Sequence, residues 1–268
     1  MYSGTTLRNG SGKVIGTHQK IDRVARRYFS VVSPTTKFPT AQAINHFEGI
    51  NGPDGIKRKS PAKDEPWHYI DPTDHNDTEI FTMIEDHTYN LRRALQEDNQ
   101  ERAAFEAAWL AHAIVDGLTP AHHYPLEEKL EELRGGEGLE TRTSIRQKVV
   151  MPGINRRARL RNNWEFWGAK GVMTTHALFE WGIATVIAPL RLNKSKPNSN
   201  ELVRARSEGV LPLFKEALSH IHSLKMYETF HRHGWNQKLA RQTRQDLIPT
   251  IIKIVTLAWY AAAYQKDK

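Results

Sequence analysis

The sequence predicts an all-α protein built as one domain. Helical patterns dominate, and clear strand alternation is scarce. A chain of 268 residues with 39% hydrophobic residues is long enough for one sizeable core. No internal repeat divides it. The ends of the expected helices carry polar caps and prolines, as helix boundaries do.

The elements follow in order. Residues 14–28 read as an amphipathic helix. The stretch 41–73 is rich in Gly, Pro and charge and reads as a long loop with at most one short helix. Asp74 or Asp77 is positioned to cap a helix running to about residue 96. Residues 101–116 form an apolar, Ala-rich helix that Pro120 stops. Later helices are expected over 126–134, 163–189, 200–225 and 248–264. The stretch 247–264 approaches the length of a membrane span, yet it contains Pro249 and Lys253. It reads as a buried C-terminal core helix.

Composition narrows the chemistry. There is no Cys, which excludes disulfides, thiolate metal sites and a cysteine nucleophile. Thirteen His are present, and His both binds metals and titrates near neutrality. The net charge of +8 permits contact with nucleic acid or anionic lipid without demonstrating either. One stretch, a charged insertion at about 124–170, separates its charges by sign. There, 127–140 carry six Glu, whereas 142–161 carry seven Lys/Arg and no acid. This segment is either a solvated helical excursion or a flap that contacts a polyanion or lipid headgroups. Trp164, Phe166 and Trp167 at its end offer surfaces for stacking bases. The first residues lack the apolar run of a secretory signal, so the default location is the cytoplasm. No G-x-S-x-G elbow, P-loop or dinucleotide fingerprint is present.

The strongest local pattern is His112-Ala-Ile-Val-Asp116-Gly-Leu-Thr-Pro120-Ala-His122. Residues i and i+4 share a helix face, so His112 and Asp116 are able to hold one cation together. His122 follows on the turn that Pro120 opens. His176-Ala-Leu-Phe-Glu180 repeats the i, i+4 pairing within an apolar run, where a His and a Glu are costly to bury uncompensated. Upstream stand His18 at the start of the first helix, Asp54 in Gly-Pro-Asp-Gly, and His68 in Trp-His-Tyr-Ile-Asp-Pro. Among the other histidines, His220 and His222 face different ways, and His46, His75 and His87 have no partner at ligand spacing.

The order His18, Asp54, His68, His112-x3-Asp116-x5-His122, His176-x3-Glu180 resembles the zinc-dependent phospholipase C family. The single-strand-specific zinc nucleases of fungi and plants share that plan. The likeness spans residues 16–182, and its core is H-x3-D-x3-P-x-H. It implies an all-α phospholipase C/nuclease-like fold with two or three zinc ions. Asp54, His68, His112 and Asp116 would hold the first. His122, His176 and Glu180 would hold the second, with positions left for water or substrate. Asp116 would bridge to a third, also held by His18. In the family that third ion is completed by an N-terminal Trp, whereas this chain starts with Met1 and no Trp precedes His18. His122 and His176 are separated by 53 residues, a longer gap than the family's, and the basic segment lies within it. The family is mostly secreted.

The activity expected from this likeness is phosphodiester hydrolysis by a metal-activated water, with Asp54 orienting or deprotonating that water. The main expectation for substrate is phospholipid at a membrane surface. Single-stranded nucleic acid is the alternative, and a metal-stabilised helical protein without catalysis is a third reading. No obligate protein partner is evident.

Overall fold

The computed structural model describes residue 1 and residues 16–59 and 69–264. It is all-helical, with no strand among the described residues. The expected first turn at 14–15 lies outside them. From Thr17–Val32 (α1), Ile21, Val24, Ala25, Tyr28 and Phe29 are buried on one helical face while Arg23 and Arg27 point to solvent. The stretch expected to hold at most one short helix holds more. Ala41–His46 (α2) is capped by the Thr40 hydroxyl, which accepts from the Ala43 N–H at 3.1 Å. A 3-10 turn over Gly49–Asn51 and the helix Pro53–Lys59 (α3) follow. Short polar helices of this kind lack the apolar periodicity that would announce them.

Glu79–Gln96 (α4) and Gln100–Gly117 (α5) form an antiparallel hairpin. Its three-residue link contains Asp98 at φ 51°, and the Asn99 side chain caps α5. Asp77 does not cap α4. The N-cap is Thr78, and Asp77 instead accepts the Asp71 N–H at 2.8 Å. From Ala103 onward nearly all of α5 is buried, which its alanines permit by letting neighbouring helices approach closely.

The charged insertion contains Leu126–Leu133 (α6), Arg146–Val149 (α7) and Arg156–Trp167 (α8). It has a small core of its own, where Leu126, Leu130, Leu133, Met151 and Phe166 pack with Tyr69. Asn162 donates to the Leu133 carbonyl at 2.9 Å, and Asn163 both donates to and accepts from the Met151 backbone. The expected single helix over 163–189 is two, α8 and Val172–Ile187 (α9). Ser199–Glu208 (α10) and Leu211–Ser223 (α11) are likewise separate, divided at Gly209 with φ 84°. Met226–His233 (α12) and Gln237–Gln242 (α13) were not anticipated. A π-turn over Thr243–Leu247 leads into Ile248–Tyr264 (α14).

The main core lies where α14 crosses α1, α4, α5 and α10. Trp259 is fully buried there, its indole N–H donating to the Ala107 carbonyl at 3.0 Å. Gln237–Tyr264 is long and apolar enough to cross a membrane, but most of it is buried inside the protein, as expected for a core helix.

Candidate metal centre

The C-terminal half of α5 presents His112 and Asp116 one turn apart, with Nε2 and Oδ2 3.1 Å from each other. From α1, His18 stacks on His112, ring centres 4.4 Å apart, and its Nε2 lies 3.2 Å from Asp116 Oδ1. From α3, Asp54 Oδ1 lies 3.9 Å from His112 Nε2. After α5 the chain turns at Pro120 into a short 3-10 turn, Pro120–His123, held by the His122 N–H donating to the Thr119 carbonyl at 2.8 Å. That turn brings His122 Nδ1 within 3.9 Å of Asp116 Oδ2 and His122 Nε2 within 3.1 Å of Glu180 Oε1. On α9, His176 Nε2 lies 3.0 Å from the same Glu180 oxygen.

Seven of the eight residues singled out by the sequence thus converge from α1, α3, α5, the Pro120 turn and α9. The eighth, His68, lies outside the described residues. Asp54, His112 and Asp116 form one group whose donor atoms all lie within 4.8 Å of one another, and His122, His176 and Glu180 form a second. His18 lies next to the first group, beside Asp116. The amino group of Met1 reaches the same place, 2.5 Å from Asp116 Oδ1 and 3.2 Å from Glu180 Oε1.

The donor set suits a divalent cation with nitrogen and oxygen ligands. His18 Nε2 is buried and makes no hydrogen bond, although a carboxylate oxygen is 3.2 Å away. A buried imidazole nitrogen set beside a carboxylate in this way is suited to sharing a divalent ion with it. The charges agree. Burial alone would raise Asp116, but the Met1 amine, His122, His112 and His18 outweigh it and hold its carboxyl well below the usual range. Glu180 is held low against burial in the same way, by the Met1 amine and His176. Burial works against protonation of His112, yet Glu48 and Asp116 raise it well above an ordinary histidine. The Met1 amine rises to about 10 because Asp116, Glu180 and Asp54 outweigh its desolvation. Protons on these groups balance buried carboxylates, and a divalent ion would take over that role on binding.

Three further residues complete the surroundings, and none was singled out by spacing. Glu48, fully buried after α2, lies 3.1 Å from His112 Nδ1 and 3.9 Å from His18 Nδ1. It faces the ring nitrogens opposite those turned to Asp116. His18, Glu48 and His112 also form a donor group by distance, and this arrangement puts Glu48 behind the two histidines, where an orienting acceptor would sit. Tyr69 stacks on His122, ring centres 4.8 Å apart, and the Ile70 N–H donates to the His122 carbonyl at 3.0 Å. Lys57 on α3 places its ammonium 5.2 Å from the Tyr69 ring, and its pKa is lowered by burial despite the nearby Asp54, Asp116 and Glu180.

Comparison with family models, curated proteins and solved structures finds no match.

Proposed function

We propose that this chain is a zinc-dependent phosphodiester hydrolase acting on phospholipids in the manner of a phospholipase C, as the motif likeness implies. The observation that carries the reading is the convergence of His18, Asp54, His112, Asp116, His122, His176 and Glu180 on one buried locus. A structural zinc site closes four protein ligands, whereas the group of His122, His176 and Glu180 offers three, the number usual in catalytic zinc sites.

Zinc held by these residues supplies positive charge against phosphoryl oxygens and acidifies water within its reach. The chain's own groups do the rest. Asp54 is the most exposed of the donor carboxylates, its side chain 26% accessible, so it is the one that meets incoming water. It orients that water and accepts its proton as the oxygen attacks phosphorus. The bond from phosphorus to the glycerol oxygen breaks, and the proton passes to the departing alkoxide. Lys57 and Tyr69 line the same locus, and the ammonium favours an anionic diester. The release of diacylglycerol and a phosphorylated headgroup balances the step.

The test offers phosphatidylcholine vesicles and single-stranded DNA separately to zinc-loaded protein, each with a chelator control. Chelator-sensitive release of headgroup phosphate is expected, with the DNA left intact. Cleavage of DNA alone would reassign the substrate to nucleic acid. No release from either, with tightly bound zinc, would make the centre a structural one. Asp116→Asn is expected to lose both zinc and activity; full zinc content and activity in that variant would sink the assignment.

A further inference from the structure

The outer face of the charged insertion is unusual for a protein surface. On α8, Leu160, Trp164 and Trp167 recur at i, i+4 and i+7, which places them in one stripe. Leu160 and Trp164 are each 72% exposed, and Ile154 just before the helix is 97% exposed. The inward residues Phe166, Asn162 and Asn163 hold the helix to the rest of the insertion, so the stripe is the side left over. Beside it Arg156, Arg157, Arg159 and Arg161 are exposed, and Glu165 is the sole acid between residues 141 and 170. Exposed apolar side chains in one stripe, flanked by four arginines, mark an interaction surface.

The insertion is fastened to the two elements that carry ligands on either side of the centre. Lys148 Nζ donates to the Lys57 carbonyl on α3, and Thr174 at the start of α9 donates to the Trp167 carbonyl at 2.8 Å.

We propose that this face docks the protein on an anionic lipid bilayer, with Ile154, Leu160 and Trp164 entering the interface and the arginines of α8 pairing with lipid phosphates and carboxylates. The inference deepens the phospholipid reading and names the surface on which that substrate is met. The chemistry selects the occupant. Tryptophan is enriched at membrane–water interfaces, and basic side chains are drawn to anionic leaflets. Branched aliphatic residues as exposed as Ile154 gain from acyl chains but give a nucleobase nothing to stack on, which disfavours single-stranded nucleic acid here.

Full-length protein would be sedimented with vesicles of phosphatidylcholine alone and of phosphatidylcholine mixed with phosphatidylserine. A chelator is present throughout, so that hydrolysis plays no part. The expected result is binding at least about tenfold tighter to the mixed vesicles, weakened by salt. Changing Arg156, Arg157, Arg159 and Arg161 together to Gln removes that preference. Trp164→Ser weakens binding to both vesicles, and tryptophan emission shifts to the blue on binding only while Trp164 is present. All variants keep wild-type thermal stability and wild-type hydrolysis of a monomeric short-chain phosphatidylcholine, since none touches the centre. Equal binding to the two vesicles, or wild-type binding by the variants, would overturn the proposal. So would tighter binding to single-stranded DNA that the same variants abolish. Vesicle binding without hydrolysis of any phospholipid would leave this surface standing and remove the catalytic reading instead.

Discussion

At the scale of single residues, the centre depends on a side chain that no motif contains. Glu48 lies 3.1 Å from His112 Nδ1, and as the acceptor there it turns the opposite ring nitrogen, Nε2, toward Asp54 and Asp116. Orienting acceptors of this kind typically contribute about 10–100-fold to metal affinity. Glu48→Ala is therefore expected to weaken zinc by that order, read by competition against a chromophoric chelator. Unchanged affinity would remove Glu48 from the centre. The i, i+4 pairs were legible because one helical turn sets their geometry within the sequence itself. Glu48 was not, since 64 positions separate it from His112 and nothing local encodes that meeting. The same limit hid the partner of His87, whose Nδ1 lies 2.5 Å from Oε2 of the buried Glu106.

At the scale of elements, α9 holds His176 and Glu180 only while its flank fits. A Cβ added at Gly182 would lie 1.7 Å from the Trp235 indole ring, which itself stacks on Phe179 and donates to the Leu178 carbonyl. Gly182→Ala should destabilise the protein by about 1–3 kcal/mol through overpacking. It should also weaken zinc, because the helix that shifts carries two donors. Urea unfolding and a zinc titration read the two effects, and a variant equal to wild type in both would refute this account of α9. The sequence merged α8 and α9 because apolar residues continue on both sides of the break. The break itself rests on backbone contacts: a Cβ at Gly171 would come 2.6 Å from the Phe166 carbonyl oxygen. Periodicity carries no sign of such an approach.

At the scale of the whole molecule, the helical class and the buried C-terminal helix were legible, since both follow from apolar spacing summed over many residues. A buried acid also ties overall stability to pH. Asp22 lies one turn beyond His18 on α1, with both carboxylate oxygens buried and without a hydrogen-bond partner. Burial, reinforced by the Glu48 carboxylate, raises its pKa well above the usual value of 3.8. The folded protein thus retains a proton that the unfolded chain releases, and stability falls as pH rises above the unfolded value. In the metal-free protein, Asp22→Asn should be the more stable form at neutral pH. Its advantage in Tm should grow as pH rises from about 4 and vanish below it. A pH-independent difference would show that Asp22 is ionised in the fold.

The centre's assembly from distant segments also has a kinetic meaning. The α4–α5 hairpin closes through three residues, whereas Glu48 must find His112 across 64 positions and Glu180 must find His122 across 58. Contacts that close long loops form late on a folding pathway. A chain emerging from the ribosome without α9 lacks His176 and Glu180. An ion taken up by these residues would act as a latch thrown on a finished fold rather than as a seed for it.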